Sequence, residues 1–98
     1  MQKMDKKTTE FYIRLKEELN NVNKTWPSKY LYKFIVPTNT EKINTVEKAF
    51  DQMGAVIDTR QSKNGKFTSI SVDVVMPNAD EIIKKYQEVS TIEGIISL

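Results

Sequence analysis

The chain has 98 residues, a formal net charge of +2 and 39% hydrophobic content, which suits one small soluble domain with a single modest core. It contains no cysteine and no histidine, which excludes disulfides, thiol nucleophiles, thiolate metal sites and imidazole acid–base chemistry. No apolar run is long enough to span a membrane, and the small positive charge is not the footprint of a dedicated nucleic-acid binder.

Residues 1–7 read as a disordered polar tail. Their charged sequence leads into no apolar stretch, so a secretory signal is not expected and the expected location is the cytoplasm. From Thr8 to about Val22 the pattern is helical. Phe11, Leu15, Leu19 and Val22 fall on one face of a 3.6-residue helix, with Thr8 as its N-cap. Residues 23–29 form a linker punctuated by Trp26-Pro27. Trp26 is either an interface anchor or packs under the domain edge.

Tyr30 to Val36 is β-rich and gives the first strand, ended by Pro37. Thr38 and Glu41 are spaced as a capping box for a helix whose stripe is Ile43, Val46, Phe50 and Met53, with Gly54 directly after it. The second strand runs from about Ala55 to Ser62 and the third from about Lys66 to Met76. Asn64-Gly65 between them predicts a two-residue turn with positive φ at both positions. That turn sets Ile57 opposite Val72, Thr59 opposite Ile70 and Ala55 opposite Val74 on the core face. Val56 beside Asp73, Asp58 beside Ser71, Arg60 beside Ser69 and Ser62 beside Phe67 take the other face. Asn78 and Glu81 cap a helix presenting Ala79, Ile82, Ile83, Tyr86 and Val89, and Ile92 to Leu98 gives a last strand.

After the first helix the order is β-α-β-β-α-β, the ferredoxin-like α+β sandwich. The expectation is a four-stranded antiparallel sheet of order 4-1-3-2 with two helices on one face. Residues 1–25 form the tail and an extra N-terminal amphipathic helix, and residues 26–98 the ferredoxin-like domain. Leu31, Ile35 and Phe67 fall on the open face if Tyr32, Phe34 and Val36 point inward. The N-terminal helix, whose stripe matches, is expected to cover them in its own chain or in another subunit.

Several segments resemble the YbeD-like family of uncharacterised bacterial proteins. They are Trp26 to Val36 with its Tyr32-Lys33, the hairpin Ser62 to Val72, and Tyr86 to Val89 followed by Ile95-Ile96. The resemblance spans roughly residues 26–98. It implies a ferredoxin-like fold similar to the regulatory ACT domain and no established biochemical function. Val36-Pro37 stands where relatives often carry glycine, and the N-terminal helix is an extension.

No catalytic residue, cofactor or metal ligand is expected. The candidate ligand or interface residues are Lys33, Asp58, Arg60, Phe67, Ser69, Ser71 and Asp73 on the open face, with Thr38 and Asn39 in the first strand–helix loop. Arg60 suits a carboxylate, and Asp58 or Asp73 an amine. The plain alternative is a solvated face with cross-strand charge pairs. The free N–H groups at Thr38-Asn39 suit an anion, against ordinary capping by either residue. Lys63, Gly65, Lys66 and Phe67 faintly echo an RNA recognition motif, but Ser69 stands where a second stacking aromatic is needed and Asp58 and Asp73 add negative charge. The expected function is a non-enzymatic regulatory or adaptor module acting through protein–protein contacts, a homodimer among them. A small-metabolite sensor is the alternative and RNA binding the weaker third reading.

Overall fold

The computed structural model describes residues 6–22 and 25–98. The elements are α1 (Lys6–Val22), β1 (Ser28–Pro37), α2 (Thr40–Ala49), β2 (Val56–Gln61), β3 (Phe67–Met76), α3 (Ala79–Val89) and β4 (Ile96–Ser97). Of the expected polar tail, residues 1–5 lie outside the described residues. Helix α1 already includes Lys6 and Lys7, so Thr8 sits inside the helix and is not its N-cap.

All strand pairings are antiparallel, in the order β2-β3-β1-β4. These are the neighbour pairs of the expected 4-1-3-2 order counted from the opposite edge, and the arrangement is compatible with a ferredoxin-like α+β fold. Period-2 alternation sends Tyr32, Phe34 and Val36 of β1 and Ile70, Val72, Val74 and Met76 of β3 to one buried face, where α2 and α3 pack. The β2–β3 register is the expected one, with Ile57 on Val72, Thr59 on Ile70, Asp58 on Ser71 and Arg60 on Ser69.

The connection that sets this register differs from the expected turn. Gly65 has φ +74, but Asn64 does not take positive φ. The loop closes by Gly65 N–H donating to Ser62 O at 2.9 Å and Ser62 N–H donating to Phe67 O at 2.7 Å. Asn64 Oδ1 accepts from Lys66 N–H and from the Ser62 hydroxyl, both at 3.0 Å. The side chain of Asn64 thus holds a four-residue loop in place of a two-residue one. Both loops are centred between Asn64 and Gly65, so the register is the same.

Two helix starts are capped by asparagine. Asn39 Oδ1 accepts from Lys42 N–H at 3.0 Å and Asn78 Oδ1 from Glu81 N–H at 2.9 Å. Thr38 is therefore not the cap of α2. Helix α2 also ends earlier than its apolar stripe suggests. Phe50 N–H and Asp51 N–H donate to Glu47 O and Lys48 O, tightening the last turn, and Gln52 takes φ +61. Phe50 is thus the C-cap, Met53 follows in a turn, and Gly54 lies well beyond the helix end. Strand β4 is shorter than the expected Ile92–Leu98. Turns at Ile92 and Gly94 intervene, and Ile92 is buried in the core instead.

Helix α1 does not cover the open face. It packs on α3, joined by an ion pair between Lys16 and Asp80 at 3.0 Å. Its inward stripe is Tyr12, Leu15 and Leu19, and Phe11 and Val22 are 60% and 80% exposed. The physical reason lies in α3, whose apolar arc of Ala79, Ile82, Ile83, Tyr86 and Val89 is wider than a single sheet can cover. Trp26 packs against the core from the linker, and its indole N–H donates to Asn20 Oδ1 at 3.3 Å.

Candidate functional site

The open face is a grid set by the strand register. One row across β4, β1, β3 and β2 reads Ile96, Ile35, Ser69 and Arg60. The next has Lys33, Ser71 and Asp58, with Leu98 bonded to Lys33 at the β4 end, and the third has Leu31, Asp73 and Val56. The two serines form a low floor between larger side chains. Lys33, Asp58, Arg60, Ser69 and Ser71 come together around a shallow hollow of about 380 Å³ that Leu98 also lines. Phe67 lies in a neighbouring hollow of about 250 Å³ with Ile35, Arg60 and Ser69.

Asp73 lies outside the hollow, one row further along β3. Thr38 and Asn39 are not part of it either. The Thr38 hydroxyl is 2.9 Å from that of Thr68 and its N–H donates to Lys66 O, while Asn39 is occupied as the cap of α2. That loop is an ordinary capped helix start.

The ion pairs among the described residues are Lys16–Asp80, Lys84–Glu81 and Lys85–Glu88. None lies on the open face, so the cross-strand charge pairs of the plain alternative do not form. The Ser69 hydroxyl donates to Arg60 O at 3.2 Å, which ties the floor to the edge strand β2. Leu31, Phe67, Val75 and Ile96 are each roughly half exposed, and Val56 and Leu98 more so. The expected exposure of Leu31 and Phe67 is thus found, within a wider apolar surround that includes Leu98.

A second group escapes a reading of the sequence. Tyr30, Tyr32, Phe34, Phe50 and Tyr86 form an aromatic cluster between sheet and helices. The Tyr32 hydroxyl is buried and donates to Ile82 O at 3.0 Å, and the Tyr30 and Tyr86 hydroxyls are 2.6 Å apart. Burial, followed by the nearby Tyr30 and Glu81, pushes the Tyr32 hydroxyl far above the usual tyrosine range. Burial and then the hydrogen bond to Tyr30 do the same for Tyr86. The alternation of β1 and the stripe of α3 place Tyr30 and Tyr86 on inward faces, but their meeting across 56 residues is a tertiary fact.

No curated protein and no solved structure matches the chain. A family model described as "Protein of unknown function (DUF493)" matches residues 23–98, which include the whole sheet, α2 and α3 and leave α1 outside. The chain belongs to this family of proteins of unknown function.

Proposed function

We propose that the chain is a YbeD-like, ACT-like regulatory or adaptor module of the cytoplasm that acts without catalysis, through protein contacts on its open sheet face. The observation that carries this reading is a face that none of the described elements covers, on which apolar groups surround a serine floor and the charges have no ion-pair partner among the described residues. Contiguous exposed apolar surface of this kind marks interaction sites.

The first partner is a second copy of the chain. A two-fold axis across the strands, between the Ser69 and Ser71 rows, sets Arg60 of one copy over Asp58 of the other and Ile96 over Leu98. The serines meet in the middle, where small side chains allow close approach of two sheets. Light scattering after gel filtration, over a concentration series, tests this. Arg60→Asp and Asp58→Arg should each weaken a dimer, and the double variant should restore it. A monomer at every concentration, or a double variant weaker than either single, refutes the pairing.

One observation favours a second reading as a small-metabolite sensor. The hollow holds two cations, Lys33 and Arg60, and one anion, Asp58, a set suited to a zwitterion. A selective rise in Tm with free amino acids supports it, since a ligand at ~100 times its Kd adds about 2.7 kcal/mol.

A further inference from the structure

On the helical side of the sheet, a cleft of about 310 Å³ separates α1 from the body of the domain, and it meets the open-face hollow only at Leu98, which lines both. Phe11, Tyr12 and Leu15 of α1 line one side, and Tyr30, Tyr86, Ser90, Ser97 and Leu98 line the rest. The cleft follows from how α1 is seated. Leu19 is buried and Lys16 is paired with Asp80, which anchors the middle and C-terminal part of the helix. Tyr12 and Leu15 are partly buried, and Phe11, beside the inward stripe, is 60% exposed.

The lining defines a chemistry. It is mainly aromatic and aliphatic, and among the described residues no charged side chain contributes to it. The hydroxyls of Tyr30 and Tyr86, two of the lining residues, lie 2.6 Å apart. One of them donates to the other, which leaves this pair a single O–H proton over, and no described lining residue is a cation able to hold an anion. Burial and the shared hydrogen bond keep Tyr86 protonated, so this donor persists at neutral pH. The volume stands at the lower end of the ~300–1,000 Å³ typical of ligand pockets with a few placed polar groups. An ion would be desolvated there without a charged partner among the described residues, and a pure hydrocarbon would leave the spare donor unmet.

We propose that the cleft between α1 and the β1–β4 edge binds a compact, largely apolar, uncharged molecule that offers one carbonyl-type acceptor to the Tyr30–Tyr86 hydroxyl pair. The extension helix supplies one wall, so the site belongs to this chain's α1 as much as to the domain it shares with its family.

The test is a titration of the full chain with acetophenone, toluene and benzoate, followed by amide chemical shifts and by the fluorescence of Trp26, the single tryptophan, whose indole is bonded to Asn20 of α1. Acetophenone should bind saturably, with shifts confined to α1, α3 and the β1–β4 edge. It should bind about 2- to 12-fold more tightly than toluene, the range expected of one net hydrogen bond, and benzoate should bind weakest. A single Tyr→Phe change leaves the other hydroxyl free to donate, so the decisive variant is Tyr30→Phe combined with Tyr86→Phe. It should fold, because both partners are replaced by apolar groups of similar shape, and it should lose the preference for acetophenone over toluene. Leu15→Trp should block all three probes. The proposal is overturned if binding is not saturable, if the shifts map to the Ser69–Ser71 face, if benzoate binds as well as acetophenone, or if the double variant keeps the preference.

Discussion

Gly94 offers the sharpest test of how β4 is held. It has φ +82, and a Cβ there would lie 2.8 Å from Cγ and 3.1 Å from Cδ of Pro37, a closed ring at the end of β1. Gly65 is the natural control, with φ +74 and a Cβ position 3.8 Å from Oε1 of Gln61, the tip of a flexible side chain. Alanine at either position meets the left-handed penalty of about 1–2 kcal/mol. Only Gly94→Ala adds a clash, and overpacking of this kind costs about 1–3 kcal/mol more. In a domain of this size each kcal/mol lowers Tm by about 4–8 °C.

The damage should be local first. Strand β4 is held by the pairing of Ile96 with Ile35 and Ser97 with Phe34, and by Leu98 N–H donating to Lys33 O at 2.9 Å. Urea unfolding of both variants, with amide exchange at Leu98, measures the two parts separately. Gly94→Ala should lose the extra stability and expose the Leu98 amide, and Pro37→Ala should recover part of the loss in a double-mutant cycle. Equal midpoints for the two alanine variants, with Leu98 still protected, would refute the steric argument.

Three further outcomes are expected. Asn39→Ala and Asn78→Ala should each lower stability by about 0.5–2 kcal/mol, as lost N-caps do, measured by urea midpoints, with an undiminished midpoint refuting the cap. Tyr32 and Tyr86 have folded pKa values raised above the usual tyrosine value, so their contribution is intact below about pH 10 and lost as pH rises beyond it, where only the unfolded state ionises readily. Tyrosinate absorbance for these two should therefore appear together with loss of circular dichroism, and titration of every tyrosine in a still-folded chain would contradict it. A chain beginning at Thr25 should fold, because the core of sheet, α2 and α3 lies within it, but with a loss of about 1.5–3 kcal/mol for the burial of Leu19. An unfolded far-ultraviolet spectrum would show that α1 is part of the folding unit.

Much of this fold is written locally. Alternation in Tyr30 to Val36 and in Phe67 to Met76 fixes which side chains face the core, because a strand places neighbours on opposite faces whatever surrounds it. The register of Arg60 on Ser69 and Asp58 on Ser71 follows from the centre of the hairpin, which four loop residues preserve as well as two. Asn78 and the stripe from Ala79 to Val89 specify α3 on their own. These features gather Lys33, Asp58, Arg60, Ser69 and Ser71 on one surface, and the sequence suffices to place them there.

Other features depend on competition between distant groups. Thr38 and Asn39 are both able to cap α2, and the choice falls to Asn39 because the Thr38 hydroxyl meets Thr68 across the fold. The stripe of α1 is compatible with either side of the sheet, and its destination is decided by how much of α3 the sheet leaves uncovered. That choice leaves the open face uncovered by α1 and creates the cleft lined by Tyr30 and Tyr86, two residues whose contact no local pattern encodes. Periodicity determines the face a residue takes on its own element, but only tertiary packing determines which faces meet.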